Sequence, residues 1–157
     1  MNARGWSLQQ QGVNDGQTTQ KRTEAATAFR EIDEKGQRIC ADPKFEPYYS
    51  KTACGANRIT FEQLVDTSRI SPAAKAIFTQ LRSAVDAVLT EDDDAQRRYN
   101  GTIGAKRTDL YLSTSKVQND RNNLNLYNGA ITWGEYNRRR QEIYSEYVAA
   151  ASKLTSQ

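Results

Sequence analysis

After Ser71 the apolar residues Ile77, Leu81, Ala84, Val85, Val88 and Leu89 return at intervals that gather them on one side of an α-helix. The sequence also marks where that helix begins. Ser71 offers a capping oxygen, and Pro72 stands at the first helical position, where its missing amide hydrogen costs nothing. Comparable stripes occur on both sides. Ala25, Phe29, Ile32, Gly36 and Ile39 predict a helix from Thr18 or Thr19 to about Cys40, stopped by Asp42-Pro43. Tyr136, Arg140, Ile143, Tyr147, Ala150 and Leu154 predict a last helix.

Between these stripes the punctuation is equally explicit. Thr60-Phe-Glu-Gln63 and Thr132-Trp-Gly-Glu135 both have the form of a capping box, in which the threonine oxygen serves a first-turn amide and the acid or amide reaches back. The first should open a short helix through Val65, the second the C-terminal helix. Gly101 and Gly104 frame a break or kink, and Asn128-Gly129 is a helix stop. Between them Ile103, Leu110, Val117, Leu124 and Ile131 recur every seven residues, half of a heptad. The other line carries Ser113, Thr114, Asp120 and Arg121, and five asparagines between 119 and 128 lower helix propensity. The expectation is an all-α fold: a helical bundle of four to five helices with a long C-terminal antiparallel helical hairpin. Residues 18–157 are read as one helical domain, and the glutamine- and glycine-rich residues 1–17 as a flexible tail.

Cys40 and Cys54 are the only two thiols. The segment they bracket holds two prolines, which forbid continuous helix. A bridge there would be worth roughly 3 kcal/mol by loop entropy, a large contribution to a chain of mean hydropathy -0.83 with 37% hydrophobic residues. Disulfides belong to oxidising compartments, so a bridged pair leads to the expectation of a protein outside the cytosol, and two separate reduced cysteines to a cytosolic one. Met1 is followed directly by polar sequence, so this reading expects a leader to have been removed.

The chain contains no histidine, which removes the commonest general base, proton shuttle and metal ligand. Neither cysteine has the partner that usually activates a thiol. Gly101-Thr-Ile-Gly104 lacks the spacing and the lysine-serine ending of a phosphate-binding loop. The run Glu91-Asp92-Asp93-Asp94 lacks the alternating ligands and glycine of a calcium loop, so it is read as structural: a solvated helix continuation or a new N-terminus. No enzyme, cofactor or metal is expected.

Charge is distributed unevenly. Residues 95–140 hold nine cations (Arg97, Arg98, Lys106, Arg107, Lys116, Arg121, Arg138, Arg139, Arg140) against Asp109, Asp120 and Glu135, so this stretch carries +6 of a whole-chain +3. The leading expectation is a non-enzymatic extracytoplasmic protein, of bacterial envelope or lipoprotein type, that acts by binding another protein. Tethering to a membrane through a removed leader or a lipid is compatible with it. Two regions are candidate contacts: Phe45, Tyr48 and Tyr49 on the Cys40–Cys54 loop, and Trp133, Tyr136, Arg139 and Arg140 on the hairpin, aromatic and arginine residues being the usual anchors of interfaces. The alternative is a basic helical nucleic-acid binder with reduced cysteines, holding phosphate through the arginines.

Overall fold

The Thr18 hydroxyl accepts a hydrogen bond from the Lys21 amide, and from there α1 runs over Thr19–Ala41. The computed structural model describes residues 18–154, so the tail expected over residues 1–17 lies outside the described residues. Asp42 and Pro43 end α1, as the sequence requires, and open a 3-10 turn over Pro43–Phe45 that leads into the short α2, Glu46–Tyr49. A second 3-10 turn, Ala56–Arg58, precedes α3, Phe61–Leu64, whose Thr60–Gln63 capping box is complete in both directions. Ser71 caps α4 by accepting from the Ala74 amide, and α4 then extends without a break over Pro72–Tyr99.

Gly101, at φ 56°, takes the left-handed conformation that turns the chain back. Helix α5 follows over Gly101–Leu110, and a β-carbon on Gly104 would collide with the backbone of Gln96, so only glycine permits this close α4–α5 approach. A single π turn, Tyr111–Ser115, joins α5 to α6, Lys116–Tyr127, with the Lys116 amide bonding five residues back to the Tyr111 carbonyl. Helix α6 ends in a Schellman motif. The Ala130 amide bonds to Asn125 O and the Gly129 amide to Leu126 O, with Gly129 at φ 67°. Helix α7, Trp133–Leu154, starts from the second capping box: Thr132 N–H donates to Glu135 Oε2 at 2.7 Å, and the Glu135 amide donates to Thr132 Oγ1 at 3.2 Å.

Cross-helix contacts give the packing order. Lys35 meets Glu91 at 2.5 Å while Phe29 meets Tyr99, so α1 and α4 run antiparallel. Tyr111 meets Tyr147, Gln118 meets Arg139 and Asn122 meets Tyr136, which is the antiparallel C-terminal hairpin, its first arm extended by α5. Every described element is helical or irregular, and the all-α class holds. One apolar cluster runs through α1, α2, α4, α6 and α7, with Phe29, Phe45, Leu81, Leu126, Trp133 and Ile143 all but sealed from solvent. Each such large side chain contributes about 1.5–3 kcal/mol of burial.

Two sequence expectations are corrected. The seven-residue line does not follow the core throughout: Leu110 and Ile131 pack against it, but Val117 and Leu124 are exposed and α6 turns Asn122, Asn123 and Leu126 inward instead. Those asparagines are tolerated because α7 satisfies them: Asn122 Nδ2 donates to Tyr136 O at 3.1 Å, and Asn123 Oδ1 accepts from the Tyr136 hydroxyl at 2.8 Å. The acidic run is not wholly solvated either. It continues α4, and the turn that exposes Glu91 carries Asp92 into the interior beside Leu89 and Gln96.

Candidate binding face of the C-terminal hairpin

The inner side of α7 is built around two polar residues, Arg140 and Asn137, that hold the Cys40–Cys54 segment. The two cysteines are bridged, with Cα atoms 5.6 Å apart, and the bridge joins the last turn of α1 to the end of the loop. From α7, the Arg140 guanidinium donates to Thr52 Oγ1 at 2.5 Å, Ala53 O at 2.8 Å and Cys54 O at 3.3 Å. One turn earlier, Asn137 Nδ2 donates to Lys51 O and Gln63 O, both at 2.9 Å, while Asn137 Oδ1 accepts from the Thr52 hydroxyl at 2.5 Å. Burial lowers the Arg140 guanidinium to about 9, since its acceptors are neutral carbonyl and hydroxyl oxygens that offset little of its desolvation.

Beside them the Tyr48 hydroxyl lies 2.6 Å from that of Tyr136, which spends its own proton on Asn123, so Tyr48 is the donor between them. Trp133 packs edge-on to both rings. Burial holds the phenols of Tyr48 and Tyr136 above their ordinary value.

This interior overturns five of the contacts expected from sequence. Phe45, Tyr48, Trp133, Tyr136 and Arg140 are all buried, so none presents a surface to a partner. The physical reason is shared. The prolines fold the loop into helical turns that swing Phe45 and Tyr48 under α4, and the capping box sets Trp133 and Tyr136 at the one angle of α7 that faces them. Of the rest, Tyr49 is half-buried against Tyr48, with burial raising its phenol. Arg139 is 39% exposed but held by Glu142 at 2.9 Å, Glu146 at 3.4 Å and Gln118.

The basic stretch is dispersed as well. Arg97 is paired with Asp109 and Lys116 with Asp120, each at 2.6 Å, and Arg138 donates to the Leu64 carbonyl. Among the described residues no cluster of side chains has a metal-binding arrangement, and no helix is long and apolar enough to cross a membrane.

What the hairpin does offer is its outer face. Val117 is 53% exposed and Leu124 57%, two turns apart on the side of α6 opposite Asn122 and Leu126. A groove of about 340 Å³ runs beside them between α6 and α7, lined by Val117, Arg121, Ile131, Glu135 and Arg139 among others. A second exposed apolar pair, Phe61 and Val65, lies on the α3 turn that packs against the start of α7. The sequence held a signal for this face in the seven-residue spacing of Val117 and Leu124. Reading it as outward requires knowing that Tyr136 satisfies the asparagines on the other side.

No family model matches the chain, and comparison with curated proteins and with solved structures finds no similar protein.

Proposed function

We propose that this chain is a non-catalytic extracytoplasmic protein that works by binding another protein through the outer face of its C-terminal hairpin. The observation that carries the reading is the exposure of Val117 and Leu124 on a well-packed helix. The two flank a groove between α6 and α7 that Val117 and Ile131 help to line, and exposed aliphatic side chains beside such a groove offer a partner an apolar contact. The bridge between Cys40 and Cys54 supports an oxidising compartment. Arg97, Lys116 and Arg139 are held by acids and Arg140 is buried, so these four of the nine cations are not presented freely to a phosphate backbone.

The test is photo-crosslinking in the native host with benzoylphenylalanine placed at Leu124, and at Glu31 on α1 as a control. Discrete adducts from the Leu124 position alone are expected. Identical patterns from both positions, or none from either, would defeat the proposal.

A further inference from the structure

Going beyond the hairpin face, we propose that the end of the bundle at the turn between α4 and α5 docks on an anionic phospholipid membrane. The helix pairing gathers four helix ends there. Lys35 meets Glu91 and Phe29 meets Tyr99, so the first turns of α1 lie beside and past the end of α4. Arg97 of α4 meets Asp109 of α5, so α5 doubles back from the same turn. Tyr111 meets Tyr147, which brings the last turn of α7 level with the start of α5.

The charge at this end is largely of one sign. Over residues 18–32, α1 supplies Lys21, Arg22 and Arg30 against Glu24 and Glu31. Residues 96–106 and 152–154 add Arg97, Arg98, Lys106 and Lys153 with no acid, and all of these cations are exposed. Arg30 leans on Glu34 at 3.8 Å and Arg97 on Asp109 at 2.6 Å; with those two acids counted, the end still carries +3, the net charge of the whole chain. Folding accounts for only part of this. Arg97, Arg98 and Lys153 sit at helix C-termini, where the helix dipole favours a cation. Lys21 and Arg22 stand at the opposite pole, the start of α1, whose first turn holds no acid. Lys21 and Lys106 have no ion-pair partner among the described residues.

A membrane suits this surface better than a nucleic acid does. Cations distributed over four helix ends meet a plane together, whereas a single strand is tracked by a basic groove with aromatic rings for its bases. The exposed large apolar side chains Phe61, Val65, Leu112, Val117 and Leu124 all lie elsewhere, so this end offers neither a ring to stack nor a side chain to insert between lipids. The contact is therefore electrostatic. It stands the bundle on end, with the Cys40–Cys54 bridge away from the bilayer and the Val117 and Leu124 side of the hairpin open to a partner.

The test is co-sedimentation of the full, disulfide-bonded chain with phosphatidylcholine vesicles containing about 30 mol% phosphatidylglycerol, each lysine or arginine near such a surface being worth roughly fivefold in affinity. Binding is expected at about 0.05 M sodium chloride, with release at about 0.5 M, where screening shortens the reach of each charge. Pure phosphatidylcholine should bind nothing. K21Q/R98Q/K106Q removes one cation from each of three helix ends and should weaken binding about a hundredfold. R38Q/K44Q/K75Q takes the same charge from the opposite end, well beyond a Debye length from the bilayer, and should bind nearly as wild type does. Circular dichroism melts check that both variants keep the fold.

Equal loss from the two triple variants would overturn the inference, because net charge rather than this end would then decide binding. Failure to bind the anionic vesicles, or binding that persists at the higher salt, overturns it too. Fluorescence anisotropy with a labelled DNA duplex runs alongside, and duplex binding without vesicle binding would replace the membrane by a nucleic acid. None of these outcomes bears on crosslinking from Leu124, so this inference and the hairpin-face reading fail separately.

Discussion

Arg140 donates to the carbonyl oxygen of Cys54 across 3.3 Å, so a buried guanidinium on α7 grips the same residue that the disulfide ties to α1. The loop between the cysteines is thereby held from both ends of the sequence. Three acceptors converge on that one side chain, and a planar fork suits them better than a point charge does. Arg140→Ala should cost about 3 kcal/mol, the sum of lost charge-assisted bonds and newly unpaired buried oxygens. Arg140→Lys should lose less, keeping one bond of the three. Urea denaturation checks both, and equal loss in the two variants would count against the fork.

The bridge itself should matter for the same reason. Its cysteines are 14 positions apart, and closing a loop of that size stabilises by roughly 3 kcal/mol in the chain-entropy account. Replacing both cysteines with serine should therefore lower the melting temperature by about 10 °C. The loop still carries Phe45 and Tyr48 into the core and still meets Arg140, so the variant should fold. An unchanged melting temperature would show that those contacts alone hold the loop.

Much of this fold is legible from residues that act locally. Ser71-Pro72, the Thr60–Gln63 and Thr132–Glu135 boxes and Asn128-Gly129 all do in the structure what their chemistry implies, because a cap needs partners only three or four residues away. The bridge was legible from composition, two thiols flanking a proline-broken segment. What sequence could not rank was burial among polar and aromatic residues. Arg140 looks like a surface cation until its acceptors, some 87 positions earlier, are known. Tyr48 and Tyr136 lie 88 positions apart, and their shared hydrogen bond is what allows both hydroxyls inside. The same long-range satisfaction turned the asparagine side of α6 inward and left Val117 and Leu124 outside.

Asn137 supplies a sharper test of that interior. Its amide nitrogen serves two loop carbonyls, so the side chain must be a donor there as well as an acceptor for Thr52. Asn137→Asp keeps the shape but points a carboxylate oxygen at Lys51 O and Gln63 O. It should destabilise by more than the 1–3 kcal/mol or so that Asn137→Ala loses by unpairing buried carbonyls. Because the protonated acid can donate, the gap between the two variants should narrow as pH falls toward 4, about where carboxylates ordinarily protonate. Denaturant midpoints at neutral and acid pH measure it, and a constant gap would show that another group accepts the charge.

Alkaline pH should expose the opposed titrations of the buried groups. Burial raises the phenols of Tyr48, Tyr49 and Tyr136 above their ordinary 10.0. Above pH 10 the unfolded chain gives up these protons before the native one does, so their contribution, complete below 10, is lost as pH rises. Arg140 acts in the other direction. Its native guanidinium titrates at about 9 against an ordinary 12.5, so between those values the unfolded chain holds the extra proton and stability gains with pH. From 9 to 10 Arg140 acts ahead of the phenols, and a shallow rise is expected. Beyond 10 three phenols oppose one guanidinium, and stability should fall by up to about 2.7 kcal/mol per pH unit, two protons' worth. Tyr136→Phe should remove one proton from that slope. Urea midpoints between pH 8 and 11 report both limbs, and a profile that goes on rising above 10 would mean that these hydroxyls ionise as freely in the native protein as in the unfolded chain.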